Sequence, residues 1–157
     1  MASLEDDVLS LIHSLVAEIG SDRATITTEE GTGFAKLVRL DPVNPRAAKM
    51  LIGVDDLAGI HLYFGQDLIW EGDECADPQQ TAPCLQFLET VCRAVMNGDF
   101  EEVAWFVRDK TGRESVAATR GIVRQNDREM KFRNGLPWLR LPFVRAIKRE
   151  FKYEPYA

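Results

Sequence analysis

Leu4, Val8, Leu11, Ile12, Leu15, Val16 and Ile19 recur at steps of three and four residues, which places them on one stripe of a helix. Ser3 stands before them as an N-cap, and Glu5, Asp6 and Asp7 follow where the helix dipole favours negative charge. Gly20 closes the element. The period then shortens to that of strands: Arg23–Glu30, Phe34–Leu40, Lys49–Val54, Ile60–Phe64 and Leu68–Glu71 each read as one, separated by Gly-, Pro- and Asp-rich turns. Their short connections predict an antiparallel meander. An acidic loop, Gly72 to Gln80, precedes a second helix that starts near Thr81 with Pro83 in its first turn and closes at Asn97-Gly98. Glu101–Arg108 and Glu114–Val123 read as a strand pair across the turn Asp109-Lys110-Thr111-Gly112. From Arg124 to Leu141 no element is assigned, because Gln125–Arg133 fits either a strand or a loop, and Pro142 is expected to open a short basic helix ending near Phe151.

This order predicts a single α+β domain over residues 1–157. Its expected form is a largely antiparallel sheet of five to eight strands, with an N-terminal helix, a central helix and a short basic C-terminal helix packed on one face. With 45% hydrophobic and 28% charged residues, the chain has the composition of a globular domain able to build its own core. The acidic first residues do not resemble a secretory signal, and no apolar run approaches a bilayer span. Cys75, Cys84 and Cys92 are odd in number and lack CxxC spacing, so no disulfide framework is expected and the chain is assigned to a reducing cytoplasm.

The net charge of −6 is unevenly spread. Met1–Val107 holds 6 Lys and Arg against 19 Asp and Glu, a balance of −13, while Arg108–Ala157 holds 13 against 6, a balance of +7. Neutralisation of one end by the other within the domain is the expected outcome, and two faces of opposite sign the alternative.

No motif of the sequence names an activity. There is no G-x-S-x-G elbow, P-loop or G-x-G-x-x-G fingerprint, and no cofactor or metal is expected. The weak catalytic candidates are Cys84, because a helix start favours thiolate, and His61 on its strand. Glu71, Asp73, Glu74 and Asp77 form a dense carboxylate cluster that suits a docking surface for a basic partner, and their spacing matches no calcium loop. Arg124, Arg128, Lys131, Arg133 and Trp138 combine positive charge with an aromatic ring, the footprint of single-stranded nucleic-acid binding.

In size, acidity and element order, though in no shared motif, the chain resembles bacterial immunity proteins and small acidic secretion chaperones that pair as dimers. That resemblance implies a non-enzymatic cytosolic module, monomeric or dimeric, capturing a basic protein through an acidic surface. A small-molecule-binding protein or small enzyme with a pocket between sheet and helices is the second reading. Nucleic-acid binding by the basic C-terminal third is the third and least expected.

Overall fold

The computed structural model describes residues 2–135 and 145–157. Its elements are α1 (Leu4–Ile19), β1 (Ala24–Gly31), β2 (Phe34–Pro42), β3 (Met50–Asp55), β4 (Ile60–Phe64), β5 (Leu68–Gly72), a 3-10 turn (Asp73–Ala76), α2 (Thr81–Met96), β6 (Phe100–Arg108), β7 (Glu114–Gln125), β8 (Arg128–Gly135) and β9 (Ile147–Lys152). The α+β class and the central meander follow the sequence pattern. Instead of one sheet, however, the strands form two, both antiparallel: β1-β2-β3-β4-β5 and β8-β7-β6-β9.

The first helix starts as its sequence demands. Ser3 and Asp6 form a capping box, and Val8, Ile12, Leu15 and Val16 are buried. Along α2 the buried set is Cys84, Leu88, Val91, Cys92, Ala94, Val95 and Met96. These two stripes share a core with the inward side chains of both sheets, among them Leu40, Ile52, Leu62, Leu68, Phe100 and Phe132. A domain of this kind is helices laid on one side of antiparallel sheet.

At the C-terminal end one open reading is resolved and one expectation is corrected. The undecided stretch after Arg124 is sheet as far as Gly135, the last described residue before 145: β7 runs on to Gln125, Asn126 takes a left-handed φ of 52°, and β8 returns with Gln125 opposite Arg128. Asn and Asp at the two turn positions are the residues such a hairpin favours. The expected helix from Pro142 starts outside the described residues, and where it would continue, Ile147–Lys152 is β9, paired antiparallel with the free edge of β6. An edge of unpaired backbone N–H and C=O groups beside an extended segment outweighs weak helical periodicity. The tail after β9 is also fixed. Tyr156 is buried, donates its hydroxyl to the Ala48 carbonyl at 2.6 Å, and its backbone N–H donates to the Met96 carbonyl at 2.9 Å.

Glu102 of β6 joins the two sheets. Only 2% of it is exposed, and its carboxylate accepts the Gln66 backbone N–H at 2.6 Å, the Thr119 hydroxyl at 2.7 Å and the Tyr153 hydroxyl. Gln66 belongs to the β4–β5 turn of the first sheet, so that turn is fastened to the second sheet by a charged acceptor. The approach depends on Gly65, which has φ +66° and where a Cβ would strike the Glu102 carboxylate. Gly121 of β7 does the same for packing, since a Cβ there would strike Leu68 of β5 and Phe100.

Burial raises the Glu102 carboxyl above the ordinary glutamate value of 4.5, against the lowering pull of its three donors. The folded chain therefore holds this proton more tightly than the unfolded chain. Its contribution to stability is fullest below 4.5 and falls as pH rises through the folded value. Urea denaturation across this range should show that loss in the wild type and a flatter profile in Glu102→Gln. Glu102→Ala, which strands three donors, should cost about 3 kcal/mol, and Gly65→Ala should be destabilising through the same junction.

Candidate functional site

Two surfaces of opposite charge are built on the two sheets. The acidic one begins at the β3–β4 turn. Asp55 Oδ1 accepts the backbone N–H groups of Leu57 and Gly59, both at 2.8 Å, while Oδ2 meets His61 Nε2 at 2.7 Å. The hydrogen bond from His61, helped by those backbone donors, holds the Asp55 carboxyl below the usual aspartate range. The turn so stiffened presents Leu57, 82% exposed. Ala58 beside it has a left-handed φ of 62°.

The acidic loop of the sequence lies against this turn. Glu71 is directly opposite His61 in the β4–β5 ladder, and a carboxylate oxygen of Asp73 lies within 4.8 Å of ligand atoms of both Asp55 and His61. Glu71, Asp73, Glu74 and Asp77 are all exposed. Asp55, His61 and Asp73 offer oxygen and imidazole donors of the type a divalent cation uses, and three protein ligands with open positions would be the arrangement. The backbone N–H groups and the imidazole account for the Asp55 oxygens without one. His61 Nδ1 is buried without a hydrogen-bond partner among the described residues.

What holds the acidic loop in place overturns an expectation. Cys75 and Cys84 are joined in a disulfide with a Cα–Cα distance of 5.7 Å, linking the 3-10 turn to the first turn of α2. Cys84 is therefore no free nucleophile. Its position at a helix start brings it to Cys75, nine residues back, rather than to a substrate. Cys92 is the free cysteine, buried, with its thiol pushed up to about 12 by desolvation. Disulfides persist in oxidising surroundings, so the cysteines no longer support assignment to a reducing compartment. No helix among the described residues is long and apolar enough to cross a membrane.

The basic surface is the outer face of the second sheet. Lys131, Ile122, Glu101 and Lys152 form one cross-strand row, and Arg133, Arg120, Val103 and Glu150 form the next. Because side chains alternate along strands, both rows share one face. They line a basin of about 410 Å³. At its margin the Arg120 guanidinium lies 5.8 Å from the centre of the Trp105 ring.

Of the residues expected to meet nucleic acid, Lys131 and Arg133 are in this basin. Arg124 is committed to Glu101 at 2.9 Å and Glu129 at 3.2 Å, Arg128 stands at the hairpin turn, and Trp138 lies outside the described residues. Other rings of the basic end serve the core: Phe132 and Tyr156 are buried, and Tyr153 stacks on Phe100 with centroids 4.8 Å apart.

No protein-family model, curated protein or solved structure matches this chain. The site must be read from its own geometry.

Sequence reasoning found the acidic cluster and part of the basic one. It missed Asp55, Leu57 and Trp105, although Asp55 with Gly59 four residues on is a turn pattern with a known mechanism. Among the described ion pairs, Arg124–Glu101 and Arg46–Glu154 join the two charge regions of the chain. Of the two, Arg124–Glu101 joins a cation of Arg108–Ala157 to a carboxylate of Met1–Val107. Arg108 and Arg149 both turn to Glu114 within the basic end. The two surfaces therefore keep opposite signs.

The disulfide gives a direct test. Alkylation in denaturant without reductant should label one cysteine per chain, and all three after reduction. Cys75→Ser with Cys84→Ser should lower unfolding free energy by about 2.5 kcal/mol, the chain-entropy value for so short a loop.

Proposed function

We propose that this chain is a non-enzymatic protein-binding module, of the immunity or secretion-chaperone kind, that captures a basic partner through its acidic corner. The observation that carries this reading is the arrangement around Leu57. A large apolar side chain stands 82% exposed at the tip of a braced turn. Beside it in the turn stand Asp55 and Asp56, and from the adjoining loop a carboxylate oxygen of Asp73 comes within 4.8 Å of Asp55. Apolar anchors surrounded by charge are how interfaces divide labour. The anchor supplies the buried contact, and the charged rim steers encounter and sets the partner's sign.

The disulfide supports the same reading. A loop held by Cys75–Cys84 has less freedom to lose on binding, so less of the contact energy is offset by ordering. In a cytoplasmic setting this bond would be of the transient or redox-sensing class. An enzyme is less well supported. Cys84 is in the disulfide, and neither it nor His61 lines the basin of the second sheet.

The partner's chemistry follows from the corner: a lysine- or arginine-rich surface with an apolar recess. Affinity capture from the native lysate at low salt should retain a basic protein that elutes as salt rises. The combined Glu71→Gln, Asp73→Asn, Glu74→Gln and Asp77→Asn variant should lose most of that retention, and Leu57→Ser should speed dissociation with little effect on association. Retention equal in all three proteins would remove this corner from the interface.

A further inference from the structure

We propose that the outer face of the second sheet binds single-stranded nucleic acid, with Arg120, Arg133 and Lys131 holding its phosphates. This face is distinct from the acidic corner, and its charges are arranged at a cost. Arg120 and Arg133 are direct cross-strand partners in the β7–β8 ladder, with Lys131 beside them on the same face. Like charges placed opposite one another in a sheet are destabilising. Neither arginine has a carboxylate within 4.0 Å among the described residues, nor does Lys131, whereas Arg108, Arg124 and Arg149 of the same sheet are each paired. An anion between the two guanidinium groups removes the repulsion and satisfies donors that match phosphate oxygens.

The size and shape of the face favour a strand over a single phosphate. From Lys131 on β8 to Lys152 on β9 the row crosses three strand spacings, about 14 Å. One phosphate group covers a fraction of that length, while successive phosphates of a strand can follow it. Ile122 and Val103 give the basin an apolar floor. Trp105, with the Arg120 guanidinium against its ring, offers a flat surface at the margin for a base to stack on. The basin lies open on a sheet face, unlike the enclosed clefts that bury most of a small ligand.

The carboxylates at the β6–β9 side do not cancel this field. Glu101 is paired with Arg124 at 2.9 Å and Glu150 with Lys148 at 3.6 Å. The negative balance, −13, lies in the first 107 residues and the rest of the chain is +7, and salt limits the reach of that field to about 8 Å under physiological conditions.

Fluorescence anisotropy with a labelled oligothymidylate of about 12 nucleotides tests the proposal. At low salt the wild-type chain should bind, with affinity falling on added salt at a log–log slope of about −2 for three neutralised phosphates. Arg120→Gln with Arg133→Gln should weaken binding at least about tenfold and reduce the slope by about 1.4. Trp105→Ala should cost about tenfold through lost stacking. Arg124→Gln, an equal charge loss at a cation already paired, should leave affinity within about twofold. Because the double substitution removes a like-charge contact, thermal unfolding should show it at least as stable as the wild type.

Failure of the oligonucleotide to bind at low salt would overturn the proposal, as would affinity indifferent to the double substitution. So would competition by inorganic phosphate or thymidine monophosphate at the oligonucleotide's own concentration, which would mark a single-phosphate site. Displacement by polyglutamate with unchanged affinity in Trp105→Ala would instead assign the face to an acidic protein.

Discussion

A carboxylate sealed between two sheets sets the geometry of this protein. Taking Glu102 out of water is costly, and the cost is offset because three donors from three different parts of the chain converge on it: the β4–β5 turn, β7 and the tail after β9. A group with such requirements tolerates little displacement, since losing one donor leaves charge uncompensated in a dry site. The first sheet therefore cannot slide on the second without breaking these bonds. Gly65 and Gly121 make the junction close enough to work, one beside the carboxylate and the other beneath Leu68.

Fixing the sheets fixes the direction of their outer faces, and these faces carry the surfaces on which function is proposed. The acidic corner combines a braced turn, an exposed leucine and a loop held by a disulfide. The basic basin uses the sheet itself as its scaffold, so its cations are spaced by strand geometry. Surface ion pairs are individually weak. Their value here is to show where charge has been cancelled and where it has been left over. Around Glu114 two arginines share one carboxylate, whose pKa they lower to about 2. Around Arg120 and Arg133 no such partner is described, and the imbalance is positive. A molecule with separated fields can meet two different partners without either competing for the other's surface.

The chain's own sequence determined the helices, because an apolar stripe and a terminating glycine or Asn-Gly pair are local in both, and α1 adds the Ser3 capping box. It also determined the five-strand meander, where period-two patterns alternate with turn residues, and the exposure of Glu71, Asp73, Glu74 and Asp77, which a polar loop dictates without reference to a neighbour. Only the tertiary structure decided the rest. Ile147–Lys152 is a strand because β6 had an edge to offer it, a fact held more than forty residues away. Cys84 is paired because the 3-10 turn returns Cys75 to the start of α2, and His61 meets Asp55 because β3 and β4 are antiparallel neighbours. The division between one sheet and two, the burial of Glu102 and the facing arginines of β7 and β8 likewise depend on which strands become neighbours. Strand pairing joins residues far apart in the chain, and periodicity, which reports only which side of an element is apolar, carries no information about the partner.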